Sequence, residues 1–502
     1  MRTPAAHLLL VCPLVVLAVV FVPSALDAGW VLDDLRALSR HAHDGEPWGE
    51  WTNSTYGWSS GDGGHLWRPL PAFFQHLAAL AAGRTPATFR LANVVLHAGV
   101  VLVAMSLVRR TGGSVGAAAF AGTVLVLHPA VAEVVPWSSD VFDVMLALVL
   151  LLAAARAQAP ASPWRRAAET LLFTLAACLC KESAATAAPA LAAVAWAAAG
   201  WRAGLGAGLG SGVGAGSFLL LHGAVTGQGY GRATGSPVWD MLLAGLDTLG
   251  GLPTLPARAT AAHLFEPGAA AAAPLGVVVL CSASLVAWLL RADAPAQRRW
   301  LAAVVGMVVL SAPAAIGIPF IGVQASRYVF QPLVWLVALG AQPLAALAAG
   351  RQSAVLLVVG ACLLWAPRTA TRVGEFQDNL TLFSAERQSE PDNPYARASV
   401  ARHLTVAAID RAAGLSMWAE ALDDLPAHIR VPDPRRERWD LAQAAFLAGA
   451  APLALQQASR LRAEPGWLPE QLACLEADSL DALGRHEDAA GAARGCVPAA
   501  RP

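Results

Sequence analysis

Two adjacent carboxylates, Asp33 and Asp34, follow the first long apolar segment and open the polar loop 27–87. Beside a bilayer such a pair costs free energy unless it meets a proton, a metal ion or a cation. A carboxylate placed there could act as a general base that takes the proton of a reacting hydroxyl group. Because Asp also favours helix N-caps, the alternative is that the pair only caps the following helix.

Three cations farther along the chain could hold a phosphate group. Arg68 stands before a proline and can present a guanidinium fork to phosphate or carboxylate, or it can position the loop at the headgroup level. Lys181 lies between two apolar segments, where it could clamp phosphate or be neutralised by Glu182. Arg327 precedes another apolar segment, and together with Lys181 it would make a plausible phosphate clamp.

Other polar residues near the ends of apolar segments are candidates for lining a cavity. They are His65, His128, Asp140, Asp143 and Glu182. Asp140 and Asp143 are one helical turn apart, so both could face the same cavity. The spacing of these residues with Glu133 matches no standard metal motif, so polar packing within a helix bundle is the favoured alternative. Asn93 and His97 are expected to form hydrogen bonds between helices.

The elements that must position these residues are membrane helices. Hydrophobic residues make up 56% of the chain and charged residues 14%, and a helix needs about 20 apolar residues to cross the hydrocarbon core. The pattern predicts an all-α polytopic protein of about eleven spans, the first being a retained helix rather than a signal peptide. The spans are 8–26, 88–107, 112–130, 138–157, 166–181, 183–200, 204–222, 273–290, 300–318, 328–347 and 353–367. Between them, 223–272 is expected to be a long loop with interfacial pieces.

Charge predicts orientation and excludes one class of partner. Arginine clusters fall at alternate helix ends, which places the N-terminus in the cytoplasm and the 27–87 loop outside it. Lys plus Arg equals Asp plus Glu at 35 each, and no basic stripe is present, so nucleic-acid binding is not expected. The Ala- and Arg-rich composition with few Lys suggests a bacterial inner membrane.

After a membrane domain over 1–367, the region 368–502 is polar, helical in composition and predicted to be extracytoplasmic. A G-x4-A element recurs every 35 residues, at Gly414, Gly449 and Gly484, with Pro432, Pro465 and Pro498 trailing. This spacing predicts about three degenerate helical hairpins of the tetratricopeptide type. The alternative is an Ala-rich bundle with chance spacing. Cys474 and Cys496 could form a disulfide if this region is extracytoplasmic.

Taken in order, these motifs resemble the polytopic glycosyltransferases of the GT-C superfamily. They are most similar to the transmembrane and tetratricopeptide repeat-containing O-mannosyltransferase-like family. The matching residues are Asp33-Asp34, Arg68-Pro69-Leu70, Asn93, His97, His128-Pro129, Trp137-Ser138 with Asp143, Lys181-Glu182 and Arg327-Tyr328. Two positions depart from the family pattern: Val141 lies near the place of an expected basic residue, and Ser326 replaces an acidic one.

The resemblance implies an inverting membrane enzyme that moves mannose or a similar hexose from a polyprenyl-phosphate donor to a hydroxyl group on the extracytoplasmic face. Asp33 would be the base, and Asp34 would orient it or help to bind an optional divalent cation, Mg or Mn. Arg327, Lys181 and Arg68 would hold the donor phosphate. The repeats would recruit the acceptor, which could be a protein, a lipid or a glycan.

Two other functions fit the same pattern. A transporter or flippase for a lipid-linked or small substrate would also carry charges in its membrane helices, but it predicts inverted repeats and charges near the bilayer midplane. The sequence has no such repeat, and its charges lie at helix ends on one face. An inactive scaffold that binds partners through its repeats is the second alternative, because of the two departures from the family pattern.

Overall fold

The structure is a computed structural model of the 502-residue chain. It describes residues 4–32, 34, 56–57, 65–226, 263–264, 294–321, 323–324, 326–347, 351–425, 434–463 and 469–496. Two compact units divide the chain: the membrane unit contains 1–261, 265–320 and 324–378, and the tail unit contains 262–264, 321–323 and 379–502. The described residues are almost entirely helical, which confirms the all-α prediction.

The membrane unit is built from helices joined by short turns. They are α1 (Pro4–Leu26), α2 (Pro69–Ala82), α3 (Pro86–Arg110), α4 (Val115–Leu127), α5 (Val131–Val134), α6 (Val141–Ala157), α7 (Pro163–Cys180), α8 (Ala188–Ala199), α9 (Trp201–Thr226), α10 (Ala294–Ile321), α11 (Phe330–Leu347) and α12 (Arg351–Glu375). Three 3-10 turns precede α6, α8 and α11, at Ser138–Asp140, Glu182–Ala187 and Ser326–Val329.

Four stretches of the described residues are long and apolar enough to cross a membrane, which confirms a polytopic membrane protein. They are Leu8–Leu26, Pro86–Arg110, Ser138–Ala157 and Trp201–Val225. Two predicted spans are shorter than expected: 112–130 contains α4, and 183–200 begins as a 3-10 turn before α8. The predicted span 273–290 and most of the 223–272 loop lie outside the described residues.

Helices α7 and α9 pack closely because α9 presents glycine at every fourth position. A Cβ atom on Gly206, Gly210 or Gly214 would lie 2.8, 2.0 or 2.6 Å from the carbonyl oxygens of Pro163, Ala167 and Leu171. The contacts advance along both helices together, so α7 and α9 run parallel. Small residues let membrane helices approach at backbone distance, where dispersion forces stabilise them.

The tail unit contains α13 (Asn379–Ser389), α14 (Pro394–Val406), α15 (Arg411–Asp423), α16 (Pro434–Leu447), α17 (Ala451–Arg462), α18 (Pro469–Ala482) and α19 (His486–Ala493). From α14 onward these helices form three successive hairpins. The first helix of each hairpin begins with proline, which is favoured at the first helical position because it has no N–H to leave unbonded. The predicted disulfide between Cys474 and Cys496 is confirmed.

The predicted 35-residue period holds only for the last two hairpins. Helices α16 and α18 begin 35 residues apart, at Pro434 and Pro469, whereas α14 begins 40 residues before α16. Gly449 and Gly484 form turns with φ of 79° and 73°, but Gly414 lies inside α15. There a Cβ atom would lie 2.4 Å from the Thr405 hydroxyl, so Gly414 permits helix packing instead. The trailing prolines Pro432, Pro465 and Pro498 lie outside the described residues.

Short strands complete the described chain. Strand β1 (Tyr56–Gly57) pairs antiparallel with β2 (His65–Leu66) in the first loop, and β3 (His263–Leu264) pairs with β4 (Val323–Gln324). Strand β2 leads directly into α2, so the loop returns to the helix bundle at Trp67 and Arg68. Trp67 is buried and stacks on Phe218 of α9, with 5.9 Å between the ring centroids.

Candidate active site

Asp34 is buried and attached to backbone amides from two parts of the chain. Its carboxylate accepts a hydrogen bond from the Val31 N–H at 3.1 Å and another from the Ser139 N–H at 2.8 Å. The second bond connects the start of the first loop to the 3-10 turn Ser138–Asp140. Asp34 therefore anchors the loop against the helix bundle, while its neighbour Asp33 lies outside the described residues.

Arg90, in the apolar helix α3, is a component of the site that sequence reasoning missed. Its side chain is buried and donates a hydrogen bond to the Gly29 carbonyl at 2.6 Å. The charges of Arg90 and Asp34 attract each other. The signal was available in the sequence, because a charged residue inside an apolar span is costly and marks a functional or structural contact.

Arg68 and Glu182 form a two-bond ion pair. The Arg68 Nε–H donates to Glu182 Oε2 at 2.9 Å and Nη2 donates to Oε1 at 2.5 Å, while the guanidinium lies 4.2 Å from the centre of the Phe142 ring. Burial opposes ionisation of Glu182, but the charge of Arg68 and its hydrogen bonds outweigh that effect and lower the pKa to about 2. Glu182 is therefore a permanent anion in this arrangement.

Lys181 pairs with Asp143 rather than with its sequence neighbour Glu182. Its Nζ atom donates to both carboxylate oxygens of Asp143, at 2.8 and 2.7 Å, and lies 4.9 Å from the centre of the Phe142 ring. The alternative that Lys181 and Glu182 neutralise each other is therefore wrong. Gln331 of α11 donates to the Asp143 carbonyl at 2.7 Å, which brings a third part of the chain to the pair.

Asp140 is fully buried, and neither of its carboxylate oxygens receives a hydrogen bond. It lies one helical turn before Asp143, and the charges of Asp143, Lys181 and Arg327 act on it. A buried carboxylate without a donor is rare in native proteins. Asp140 and Asp143 both interact with Lys181 and Arg327; that they line one cavity stays a prediction.

Glu133, in the one-turn helix α5, links two arginines from distant parts of the chain. It accepts the Arg327 backbone N–H at 3.0 Å and the Arg372 Nη2–H at 3.1 Å. Arg372 also pairs with Glu375. Burial raises the pKa of Glu133, and the charges of Arg372 and Arg327 oppose that rise. Glu133 thereby determines where the backbone of Arg327 lies.

The Arg327 guanidinium lies over two aromatic rings. It is 4.7 Å from the centre of the Trp137 ring and 5.1 Å from that of Tyr328. Burial disfavours its charge, but Tyr328 and the carboxylates of Asp140, Glu133 and Asp143 raise the pKa of Arg327 above its ordinary value. Arg327 therefore stays positively charged in the turn just before α11.

The remaining polar candidates are structural in the described chain. Asn93 donates to the Trp137 carbonyl at 2.9 Å, and His97 Nε2 lies 2.8 Å from the Leu125 carbonyl, which confirms the predicted hydrogen bonds between helices. His128 is buried, accepts the Ala130 N–H at 3.2 Å and packs against Trp365. The side chain of His65 lies outside the described part of the chain, although its backbone forms strand β2.

These contacts assemble most of the predicted site residues into one polar cluster, which contains Asp34, Arg68, Glu133, Asp140, Asp143, Lys181, Glu182 and Arg327. Its members come from helix ends and the adjoining turns. Lys181 directly follows α7, Asp140 and Asp143 begin α6, and Arg327 lies just before α11. Alternating carboxylates and cations of this kind can hold an anionic group and accept protons from hydroxyl groups.

Two curated proteins of Drosophila melanogaster are similar to part of this chain. Protein O-mannosyl-transferase Tmtc1 is 33% identical over 183 residues, which cover 34% of this chain and 21% of that protein. Protein O-mannosyl-transferase Tmtc2 is 30% identical over 185 residues, which cover 34% of this chain and 20% of that protein. The resemblance to this family is confirmed. The alignment spans about a fifth of the length of these relatives.

No protein-family model matches the chain, and no solved structure matches it. The similarity to protein O-mannosyl-transferases therefore rests on the aligned third of the sequence. The contacts in the polar cluster are a separate observation, because they come from the structure of this chain and not from the alignment.

A divalent cation has few places to bind among the residues that the structure describes. In that part of the chain, no three His, Cys, Asp or Glu side chains are grouped as metal ligands. Asp34 already accepts a backbone N–H on each oxygen, and Glu133 is held by two arginines. The predicted pair of metal ligands, Asp33 and Asp34, is described only at Asp34.

Proposed function

We propose that this chain is a membrane glycosyltransferase that moves mannose or a similar hexose from a polyprenyl-phosphate donor to a hydroxyl group. The observation that supports it most is the polar cluster, in which Arg68 and Lys181 flank one ring, that of Phe142, at 4.2 and 4.9 Å. Two cations that contact the same aromatic ring, next to buried carboxylates, suit a site where negative charge develops on a leaving phosphate. The similarity to protein O-mannosyl-transferases supports the choice of sugar.

In the proposed reaction, Asp33 takes the proton of the acceptor hydroxyl. The hydroxyl oxygen attacks the anomeric carbon from the side opposite the phosphate and forms the new glycosidic bond. The bond between that carbon and the phosphate oxygen breaks, and its electron pair leaves with the polyprenyl phosphate. Attack from the opposite side inverts the configuration of the anomeric carbon.

Asp34 has a supporting role in this proposal. Its carboxylate oxygens accept backbone amides from Val31 and Ser139, so it holds the loop that carries Asp33 against the 3-10 turn. Replacing Asp34 would release the loop from the Ser138–Asp140 turn. A base that moves by about 1 Å can lose much of its effect.

Three cations are proposed to hold the donor phosphate: Arg327, Lys181 and Arg68. Lys181 and Arg68 already hold carboxylates, Asp143 and Glu182 respectively. A phosphate would therefore join these pairs or replace one partner. Such pre-positioned cations do not need to reorganise when charge develops on the leaving group.

The polar cluster is proposed to lie on the extracytoplasmic side of a bacterial inner membrane, together with the helical hairpins of the tail unit. The arginine clusters at alternate helix ends support this orientation. The disulfide between Cys474 and Cys496 also supports it, because disulfides persist in oxidising compartments. The hairpins would present a protein, lipid or glycan acceptor to the site.

The test is the release of polyprenyl phosphate from radiolabelled polyprenyl-phosphate mannose by the purified full chain in nanodiscs. We expect Asp33→Asn to lower turnover about a hundredfold or more, because the base is lost. Arg327→Ala should lower turnover by a similar factor, since it removes a charge that stabilises the leaving phosphate. Arg110→Gln, an exposed arginine at the end of α3, is the control and should leave turnover unchanged.

Unchanged turnover in Asp33→Asn would contradict the proposed mechanism. If the wild-type chain is folded and releases no phosphate from mannosyl, glucosyl or other hexosyl donors with protein, lipid and glycan acceptors, the inactive-scaffold alternative replaces the proposal. Movement of the intact labelled donor across the bilayer without release of the sugar would indicate a flippase.

A further inference from the structure

An open apolar groove of about 680 Å³ lies between helices α8 and α9 of the membrane unit. Small residues from both helices line it: Ala192, Ala193, Gly204 and Gly208. Trp196 and Trp201, one from each helix, line it as well. The glycines allow this shape, because a Cβ atom on Gly204 would lie 2.8 Å from Trp196, and one on Gly208 would lie 3.2 Å from Ala192.

The groove opens on a surface that faces lipid chains. Leu205 and Leu209 line it and are 55% and 61% exposed, and Trp201 is 65% exposed. These residues belong to the stretch Trp201–Val225, which is long and apolar enough to cross a membrane. An exposed apolar surface on a membrane span contacts hydrocarbon, so the natural occupant of the groove has an alkyl chain.

Two arginines accompany the tryptophans of the groove. The Arg298 guanidinium lies 5.6 Å from the centre of the Trp196 ring, and that of Arg202 lies 5.4 Å from the centre of the Trp201 ring. Both side chains are exposed, and neither pairs with a carboxylate among the described residues. By contrast, Arg68 and Lys181 in the polar cluster are both paired. An alkyl groove beside two arginines that have no carboxylate partner in the described part of the chain is complementary to a lipid with an anionic head.

The groove and the polar cluster lie at opposite ends of α7. Gly206 of α9 contacts Pro163 at the start of α7, whereas Lys181 follows the last residue of that helix. Eighteen helical residues separate the two ends, which corresponds to about 27 Å along the axis, close to the thickness of a hydrocarbon core. The groove therefore belongs to the other membrane surface, which the charge pattern predicts to be cytoplasmic.

We propose that this groove is a binding site for an anionic phospholipid of the cytoplasmic leaflet. One acyl chain lies along Gly204 and Gly208, and the lipid phosphate contacts Arg202 and Arg298. Tryptophan and arginine at the headgroup level are the residues that membrane proteins use to hold lipid heads. This site does not depend on the proposed sugar transfer.

The test is native mass spectrometry of the purified full chain titrated with phosphatidylglycerol or phosphatidylcholine of equal acyl length. We expect phosphatidylglycerol to bind about 30-fold more tightly, since each arginine near a lipid head contributes about a factor of five. The double variant Arg202→Gln/Arg298→Gln should remove this preference, and Arg202→Lys/Arg298→Lys should retain most of it.

Two further variants separate the groove from general charge effects. Ala193→Trp fills the groove and should weaken phosphatidylglycerol binding although both arginines remain, with its melting temperature measured to verify folding. Arg110→Gln/Arg411→Gln removes the same charge from exposed arginines elsewhere and should leave lipid binding unchanged.

Equal binding of the two lipids by the wild-type chain would overturn the proposal, as would an equal effect of the control pair. If polyprenyl phosphate displaces phosphatidylglycerol at lower concentration through the same arginines, the groove holds a substrate lipid instead, and the proposal is wrong. The assay measures binding without turnover, so its outcome is independent of whether the polar cluster transfers sugar.

Discussion

The membrane unit and the tail unit both contain ion pairs between arginine and an acidic residue, but in opposite surroundings. In the membrane unit, the side chains of Arg372 and Glu133 are 5% and 1% exposed. In the tail unit, those of Arg485 and Asp488 are 55% and 56% exposed. A buried charge must be paired because it has lost its water, whereas a solvated charge can exchange its partner for water.

The difference indicates what each kind of pair contributes. Buried carboxylates in the polar cluster also determine geometry by accepting backbone N–H groups: Glu133 holds the Arg327 backbone, and Asp34 holds the Ser138–Asp140 turn. The exposed pairs of the tail unit lie on hairpins whose shape comes from apolar packing around residues such as Trp418 and Leu441. Losing one buried partner should therefore change both stability and the site, and losing one exposed partner should change neither.

The largest effect is expected for Arg372→Leu, which leaves the buried carboxylate of Glu133 without its ion-pair partner. We expect a loss of about 3–5 kcal/mol in the free energy of unfolding. The measurement is unfolding of the purified chain in mixed detergent micelles, followed by circular dichroism.

The double variant Arg372→Leu/Glu133→Leu is the matched control, because it removes both charges. It should recover part of the lost stability; the remaining loss comes from the Arg327 N–H and Glu375, which lose their partners. A loss under about 1 kcal/mol in the single variant would show that the buried pair is no more important than a surface pair.

A somewhat smaller and pH-dependent effect is expected for Glu182→Gln. The wild-type pKa of about 2 lies below the ordinary value of 4.5 because the attraction of Arg68 outweighs burial. The ionised form therefore stabilises the folded chain by about 3 kcal/mol, fully above about pH 5, and this contribution declines as the pH falls towards 2. The measurement is the stability difference between wild type and Glu182→Gln from pH 7 to pH 3.

Arg68→Gln removes the cation that lowers the pKa of Glu182. In that background the main effect that opposes burial is gone, so the stability difference from Glu182→Gln should no longer decline as the pH falls from 7 to 3. In the wild-type background, a stability difference between wild type and Glu182→Gln that grows as the pH falls would have the wrong sign. It would contradict the conclusion that Arg68 lowers the pKa of Glu182.

A moderate effect is expected where close packing, rather than charge, holds the membrane unit together. Gly210→Ala places a Cβ atom 2.0 Å from the Ala167 carbonyl oxygen and forces α7 and α9 apart, so we expect a loss of about 1–3 kcal/mol. Gly212→Ala, two residues away, meets nothing within 4 Å. This control should be neutral or slightly stabilising, because alanine favours helix. Equal effects in the same unfolding assay would argue against the parallel packing of the two helices.

The smallest effect is expected for Asp488→Asn in the exposed pair of the tail unit. The loss should be under about 0.5 kcal/mol and should disappear at high salt, which screens exposed charges. Thermal unfolding at low and high salt measures it. A loss comparable to that of Arg372→Leu would remove the contrast between the two units.

Much of the architecture follows from patterns that act locally along the chain. Apolar runs predicted the spans 8–26 and 138–157, and the last two turn glycines, Gly449 and Gly484, marked hairpins. The small residues of the G-x4-A element were predicted to allow close helix packing, which Gly414 does, whereas Gly449 and Gly484 form turns. A glycine that permits packing and one that forms a turn look alike in a sequence. The range 223–272 could be predicted only as a long loop, because its mixture of Gly, Pro and apolar residues specifies no single helix or strand.

The candidate site, too, could be predicted only in part from the sequence. The order of acidic and basic motifs pointed to Asp34, Arg68, Lys181 and Arg327 because charged residues at the ends of apolar runs are costly and few. Arg90 and Arg372 were missed, since neither belongs to a motif. The sequence did not specify the ion-pair partner of Lys181, and the adjacent Glu182 was one of the alternatives.

Hydrophobicity and residue spacing were enough to predict that the chain crosses a membrane repeatedly, that its polar candidates lie at helix ends, and that the two cysteines of the tail can pair. These properties depend on hydrophobicity and spacing, which are local. The ion pairs became known only from the folded chain: Lys181 pairs with Asp143, Arg68 with Glu182 and Glu133 with Arg372. Pairing between residues far apart in sequence depends on how helices pack, and the strength of each pair depends on how much water the packing removes.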